Sequence, residues 1–533
     1  MKVEEWESES PLLTVAKHFV TKGCLILGVW GVKHFIWKRK NHREGQEREH
    51  YRVLHSPAQQ FTPAYPRWLI EAAASGDLEG SDSLELQARY QELCGDVLLH
   101  CVKPGQQARE ELFDLSPDWT YLNHGSYGAT LRFVSELQSW WREQQEQQPV
   151  LFMETQALPA LKAARSDVAA LIGARSSDVV MLANATTAAN AVIQSVALRR
   201  GDLLMMTSLT YPAVKNALAR AAATSGAGLL EVLLPLETLQ QGAKAVHAAF
   251  RETLQQHRGR VKLAIIDHVA SFPPVLFDVK ALSSLCKGSG AKVMIDGAHA
   301  VGAMPLNVPS LGGHFYTSNL HKWHCTAKAS AFLWVAPSEQ QHMVPLVTSH
   351  GYGLGFQGEW LWSGTSDMSA LLSVPAALYV VNGIGREKWL LHNAKLLKEA
   401  AALLHKAFGS ENVLGADGQH ACMAAIELPA DLPLSASPPD AVHLQHVLRE
   451  RFRIEVPISA WEGKLWVRIS AQYYNQLPEY QKLAGAVMAL VKEGERNAGE
   501  TSWRSEDFQE RLAAEVNTNG LTPSHPDRAI NGP

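Results

Sequence analysis

The chain has 533 residues, 46% hydrophobic and 19% charged, a balance that excludes a disordered polymer and supplies enough apolar material for a sizeable core. Lysine plus arginine number 49 against 53 aspartate plus glutamate, so the net charge is −4 and the basic excess of a dedicated nucleic-acid binder is missing. Six cysteines without a C-x-x-C pair exclude a disulfide scaffold and a zinc ribbon, and point to a reducing compartment, the cytoplasm.

At the N-terminus, Glu4, Glu5, Glu7 and Glu9 speak against an acid-poor, Arg-rich transit peptide. An apolar stretch, Leu12–Trp37, then ends in Lys38, Arg39 and Lys40. Its longest uncharged run, Gly23–Val32, spans as a helix about 15 Å, roughly half of a bilayer core. Two readings stand: an anchor or interfacial helix with Trp30 and Trp37 at the membrane boundary, or a soluble helix packed on the main body. Residues 1–60 form this extension, and residues 61–110 have the periodicity of a helical appendage. After Leu115 the texture changes. Short apolar runs (Val179–Leu182, Leu203–Met206, Leu229–Leu234, Leu263–Val269, Val293–Ile295) alternate with helical segments such as Thr187–Leu198 and Pro212–Ser225. That alternation predicts an α/β domain over 111–375 built on a mostly parallel sheet covered on both faces. Helical Asp367–Gly385 and Glu387–Ala407, then strand-like Ala424–Leu428 and Leu465–Ile469, predict a smaller α+β domain over 376–497. Residues 498–533 lose periodicity and read as a solvated tail.

The chemistry concentrates in two stretches. In KVMIDGAHAVG (292–302) an apolar strand ends in Asp296, where open α/β sheets place ligand groups. In GGHFYTSNLHKWHC (312–325) Lys322 follows another strand-like run. A lysine in such a pocket can form a Schiff base with a carbonyl, and an acid that keeps a pyridine nitrogen protonated is the signature of pyridoxal phosphate binding. Alone, an acid at a strand end also reads as a helix cap, and a lysine as a solvated surface residue. The histidines His314, His321 and His324 lie near Cys325, but no carboxylate set accompanies them at metal spacing, so no metal is expected. The Gly-rich GYGLGFQG (351–358) lacks the strand-then-helix context of a dinucleotide site.

Nine motifs occur in one order: YLNHGSYG (121–128), WWREQQEQQPVLF (140–152), NATTAAN (184–190), Tyr211-Pro212, DHVAS (267–271), IDGAHAVG (295–302), SNLHKW (318–323), WSGTSD (362–367) and WVRISAQYYN (466–475). Together, from about Leu115 to Lys492, they resemble the class V aminotransferase superfamily of fold type I pyridoxal-phosphate enzymes, in its isopenicillin N epimerase-like branch. The resemblance implies a large domain with a mostly parallel, seven-stranded type of sheet and a smaller α+β domain. It implies pyridoxal 5'-phosphate as cofactor, an amino acid as substrate, Lys322 as the catalytic residue and Asp296 as the partner of the ring nitrogen. His299, Ser271 and Tyr211 would surround the ring. Thr186 and Thr187, at a helix start, would bind the phosphate with Asn319 and His321. Thr365 would reach the phosphate of a neighbouring subunit, implying a homodimer, and otherwise reads as a helix cap. Arg468 would clamp the substrate carboxylate, and Asn123 and His124 would lie at the site's mouth.

One departure stands out. After the lysine the branch commonly has Pro-Lys-Gly, whereas this sequence reads Ala327-Lys328-Ala329. Losing both special backbone residues predicts another loop path and makes Lys328 a rival for Lys322. Once the α-carbanion forms, loss of a β-substituent gives a lyase, reprotonation from the other face an epimerase, and proton transfer to the cofactor a transaminase. The reading favoured is a carbon–sulfur lyase of the cysteine desulfhydrase type, with epimerase and aminotransferase as alternatives. A persulfide-forming desulfurase needs a mobile cysteine in the small domain, and Cys422 sits at a strand start instead. A non-catalytic protein of the same fold is the reading from a different class, and retention of Asp296, Lys322 and Arg468 argues against it.

Overall fold

The computed structural model describes residues 99–414 and 422–496 together with Glu92. The apolar segment 12–37, most of the 61–110 segment and the 498–533 tail lie outside the described residues. Among those described, no helix is long and apolar enough to cross a membrane.

Seven strands form one sheet: β1 (Val179–Leu182), β2 (Leu203–Thr207), β3 (Gly228–Val232), β4 (Val261–Asp267), β5 (Lys292–Asp296), β6 (Phe315–Asn319) and β7 (Ala331–Val335). Their order is β1-β7-β6-β5-β4-β2-β3. Only β7 runs against the others, pairing antiparallel with both β1 and β6. Strands β2, β6 and β7 are buried at every position. That burial is why they are uninterrupted apolar or small-residue runs rather than alternating ones. Two helices come directly off strands of this sheet: α1 (Ala185–Ser195) after β1 and α2 (Pro212–Ser225) after β2. Asn184 caps α1 by accepting the Thr187 N–H at 2.8 Å. Pro212 opens α2 and Gly226 closes it in the left-handed conformation. The α/β architecture is the one expected from the alternating pattern.

A second sheet of four strands follows: β8 (Val413–Leu414), β9 (Met423–Glu427), β10 (Ile458–Trp461) and β11 (Lys464–Ser470), in the order β10-β11-β9-β8. Its long helix Arg386–Phe408 is one predicted segment realised almost residue for residue. The preceding segment is instead two helices, Ser369–Leu372 and Val374–Ile384. A separate apolar core, containing Leu397, Leu404, Ile426, Val467 and Val487, holds this region together. Residues 99–112 are bound into the large core: Leu99, Val102, Ala108 and Leu112 are buried in it.

Candidate active site

The parallel strands β4, β5 and β6 end together. Asp267 pairs in register with Asp296, and Asp296 with Thr317. Off these carboxyl ends, where open α/β sheets bind ligands, lies a cavity of about 160 Å3. Its wall includes Thr186, Tyr211, Ser271, Asp296, His299, Asn319, His321 and Lys322. Residues far apart in sequence, each marked by its own motif, thus meet in one place.

Lys322 follows β6 in the turn SNLHKW. Two glycines let other segments cross its backbone. A Cβ on Gly128, at φ 72°, would stand 2.0 Å from the His321 carbonyl oxygen, and one on Gly302, at φ 84°, 2.4 Å from the Trp323 carbonyl carbon. Neither position admits a side chain. The lysine Nζ lies 3.2 Å from His299 Nε2. On the other edge of that imidazole, Nδ1 accepts the Trp323 indole N–H at 3.2 Å. Indole only donates, so Nδ1 is bare and the neutral ring carries its hydrogen on Nε2. That hydrogen faces the lysine, an arrangement that favours the neutral amine, which can accept it, over the ammonium, which cannot. The electrostatics agree. Burial first, and then the Arg468 charge, lower Lys322 to about 8 against the opposing pull of Asp296. Burial first, then the Lys322 and Arg468 charges, hold His299 well below its ordinary value. At pH 7 about one lysine in ten is then the free amine, against roughly one in several thousand for an exposed lysine. Capture of pyridoxal 5'-phosphate by the cofactor-free protein should therefore speed up as pH rises and level off above about 8. Stopped-flow absorbance measures it, and a rate still climbing tenfold per unit at pH 9 would contradict the lowered value.

Arg468, on β11, is 5% exposed. Its Nη1 donates to the Ser271 carbonyl at 2.8 Å and to Ser271 Oγ at 3.2 Å. Its Nη2 donates to Asn123 Oδ1 at 3.2 Å and Ser126 Oγ at 3.1 Å. Nε has no partner. All four acceptors are neutral, and burial lowers the guanidinium to about 10. A desolvated cation held by neutral oxygens beside a cavity is suited to a carboxylate.

The remaining predicted residues need correction or refinement. His124 is not at the mouth. It is fully buried, with Nε2 2.9 Å from the Lys322 carbonyl and Nδ1 2.9 Å from the Tyr474 hydroxyl. Burial keeps it neutral, down at about 3, so it braces the lysine's backbone from beneath. Asn123 accepts from Arg468 and donates to Glu455 at 2.8 Å, so it positions the guanidinium. Thr187 does not line the cavity; its hydroxyl and N–H both go to the capping Asn184. Asn319 lines it while accepting the Ala185 N–H at 2.9 Å, which fastens the start of α1 to the end of β6. His321 Nδ1 faces the Ser330 carbonyl at 2.9 Å. Thr365 is exposed and lines no part of this chain's cavity; nor does it cap the following helix, whose N-cap position is Met368 and whose Ser369 N–H goes to Asp367. Lys328 is exposed and donates to Thr130 Oγ1, which removes it as a rival to Lys322. Asp267, Asn184, Ser126 and Tyr127 line the cavity as well, and the motifs assign them no role. Asp267 carries the same signal as Asp296, an apolar strand run ending in an acid.

The sequence profile described as Aminotransferase class-V matches residues 143–429. The chain belongs to the class-V aminotransferase family. Among its relatives is the probable L-cysteine desulfhydrase, chloroplastic, of Arabidopsis thaliana, 34% identical over 71% of this chain and 84% of that protein. Isopenicillin N epimerase of Amycolatopsis lactamdurans is 27% identical over 72% of this chain and 98% of its own length. The apo cysteine desulfurase of Thermococcus onnurineus NA1 shares the fold at a TM-score of 0.61 and 19% identity, covering 72% of this chain and 98% of that one. This class-V chain is thus a fold type I enzyme whose cofactor is pyridoxal 5'-phosphate. The cavity's own chemistry fits that group: a free amine, a carboxylate floor at Asp296 and a helix start at Thr186.

The loop after Lys322 holds a residue in the left-handed conformation. Ala329, where the branch has glycine, stands at φ 67°. That conformation costs an L-residue roughly 1–2 kcal/mol, and glycine gives back about 0.5–1 kcal/mol through the unfolded chain. Ala329→Gly is expected to stabilise the protein by about 0.5–1 kcal/mol, read as a higher denaturant midpoint at unchanged slope.

Proposed function

We propose that the chain is a carbon–sulfur lyase that converts an L-cysteine-type amino acid and water into sulfide, pyruvate and ammonia. The observation that carries the reading is the part-buried Lys322 amine, 3.2 Å from His299 in the cavity that Asp296 also lines, with Arg468 bound to the Ser271 of that cavity's wall. Pyridoxal phosphate, when bound, supplies an electron sink that makes the α-proton acidic. Lys322 takes that proton at Nζ. Arg468 orients the substrate carboxylate, with Asn123, Ser126 and Ser271 holding the guanidinium. Asp296 would keep a negative charge for the ring nitrogen, Tyr211 and His299 would contact the ring, and Thr186, Asn319 and His321 would hold the phosphate. A second copy of the chain supplies Thr365 in a homodimer.

Two features favour simple elimination. The desulfhydrase relative is more similar than the epimerase, at 34% against 27%. Cys422, the cysteine nearest the role of a persulfide carrier, is packed against Trp323 and Met423, its Sγ donates to the Ala303 carbonyl at 3.6 Å, and burial pushes its thiol up to about 12. A thiol so held is neither mobile nor nucleophilic. The test is a panel of L-amino acids assayed for sulfide, pyruvate and α-proton exchange. Equal amounts of sulfide and pyruvate from cysteine are expected. Exchange in deuterium oxide without elimination would replace this reading by the epimerase one.

A further inference from the structure

Two carboxyl groups stand side by side on the cavity floor, and the elimination chemistry uses one. Asp267 and Asp296 face each other across the parallel ladder of β4 and β5, so both side chains leave the sheet on one face. Both line the cavity, and they are 3% and 5% exposed. Their surroundings differ. Burial raises the Asp296 carboxyl as well, but the Ala298 N–H that it accepts at 3.0 Å and the Lys322 charge oppose that rise. Asp267 accepts from the Thr210 hydroxyl, the Tyr211 N–H and its own N–H, but its Oδ2 is buried without a hydrogen-bond partner. The other titratable groups around the floor are Tyr211 before α2, His268 after β4, Tyr316 on β6, His299 after β5 and Lys322 after β6. Burial keeps His268 and His299 neutral, and the Lys322 charge acts on Asp296, lowering its carboxyl.

An ionised oxygen left without a donor in a dry site costs far more than a neutral one. Two carboxylates on adjacent strand ends cannot both ionise cheaply, and one keeps its proton. The orphaned Oδ2 of Asp267 and the Lys322 charge that acts on Asp296 decide which. We propose that Asp267 stays protonated through neutral pH and serves as an uncharged positioning residue, leaving Asp296 as the single negative charge of the floor. In this state Asp267 ties the Thr210–Tyr211 corner at the head of α2 to the end of β4. It also leaves the whole charge of the pair for a cation at Asp296. Only that last consequence rests on the cofactor reading. Burial, with the Asp296 charge adding to it, pushes the Asp267 carboxyl well above the usual carboxylate range, in the same direction as the geometry.

Linkage sets the sign for stability. An acid whose folded value lies above its unfolded one stabilises fully at low pH and loses that stability as pH rises toward the folded value. Asp267→Asn removes this loss. Against wild type, its melting temperature should therefore gain steadily from pH 5 to pH 8.5, with at most tenfold per pH unit in the folded-to-unfolded ratio. The difference infrared spectrum of the full chain, wild type minus Asp267→Asn at pH 7, should contain a protonated-carboxyl carbonyl band. Carboxylate bands in its place, or a melting difference that ignores pH, would overturn the proposal. So would a variant unable to fold at neutral pH, because a side chain already uncharged tolerates an uncharged isostere. Neither readout needs bound cofactor or turnover, so a failure of the lyase reading leaves the outcome intact.

Discussion

Lys322→Ala is expected to lower turnover by at least about 10³-fold and to remove the visible absorption of the lysine-linked cofactor. Proton transfer by a positioned base alone contributes about 10²–10⁴-fold, and this substitution also deletes the amine that captures the cofactor. The geometry makes the loss specific to this residue. Lys328, six positions on, is exposed and tied to Thr130, so it cannot substitute. His299 remains in place in the variant, because Trp323 holds its other nitrogen. The site then keeps its ring-flanking imidazole and its carboxylate floor while losing the base. Absorbance and product formation on the same preparation separate the two losses. A variant that keeps both the visible band and measurable elimination would remove Lys322 from the catalytic role.

A milder change tests how the amine is prepared. Trp323→Phe keeps an aromatic ring in the core but deletes the indole donor. His299 is then free to carry its hydrogen on either nitrogen, and the Nε2–H that faces Lys322 is no longer enforced. Cofactor capture should slow and its pH midpoint move up from about 8 toward the ordinary lysine value. Stopped-flow capture rates over pH 6–10 measure this, and an unmoved midpoint would mean that burial alone prepares the amine.

Much of this site is legible in the sequence because its physics is local to strand ends. A buried strand of a parallel sheet must be apolar throughout, so an acid closing such a run is conspicuous, as at Asp296. The glycines of NHGSYG and IDGAHAVG are visible as motif members, and the structure supplies their reason: Gly128 and Gly302 let two segments touch the backbone of the lysine turn. Asp267 carries the same strand-end signature but gains its meaning only beside Asp296, and one sequence does not say that two strands are neighbours in register. That knowledge needs the sheet order.

Other assignments fail where direction, not identity, decides. Asn123 and His124 are adjacent, yet one reaches the Arg468 guanidinium and the other turns under Lys322 into a fully buried network with Tyr474. A loop entering a four-residue helix gives no periodicity from which to read such a split. Thr186 and Thr187 divide in the same way, one to the cavity and one to the Asn184 cap, because successive residues at a helix start point about 100° apart. The altered sequence of the loop after Lys322 does not relieve Ala329 of a left-handed conformation. Composition speaks to what a residue prefers, while the crossing strands and the lysine turn dictate what it adopts.

Arg468→Met should cut kcat/KM for an amino-acid substrate by roughly 30- to 4,000-fold, the equivalent of about 2–5 kcal/mol for truncating one partner of a buried, hydrogen-bonded charge pair. The loss should fall mainly on KM if the clamp only binds, and on kcat as well if it sets the angle at which the α-proton meets Lys322. Arg468→Lys should recover part of the affinity and little of the orientation, because an ammonium is a point charge and cannot grip a carboxylate with two parallel N–H bonds. A structural role must be told from a binding one, since Arg468 also joins Ser271, Asn123 and Ser126 across three segments. Comparing an amino acid with its carboxamide does so. Wild type should strongly prefer the carboxylate, and Arg468→Met should lose most of that preference while retaining whatever weak activity the amide supports. Equal losses on both substrates would show that the guanidinium braces the loops and leaves the carboxylate to another group.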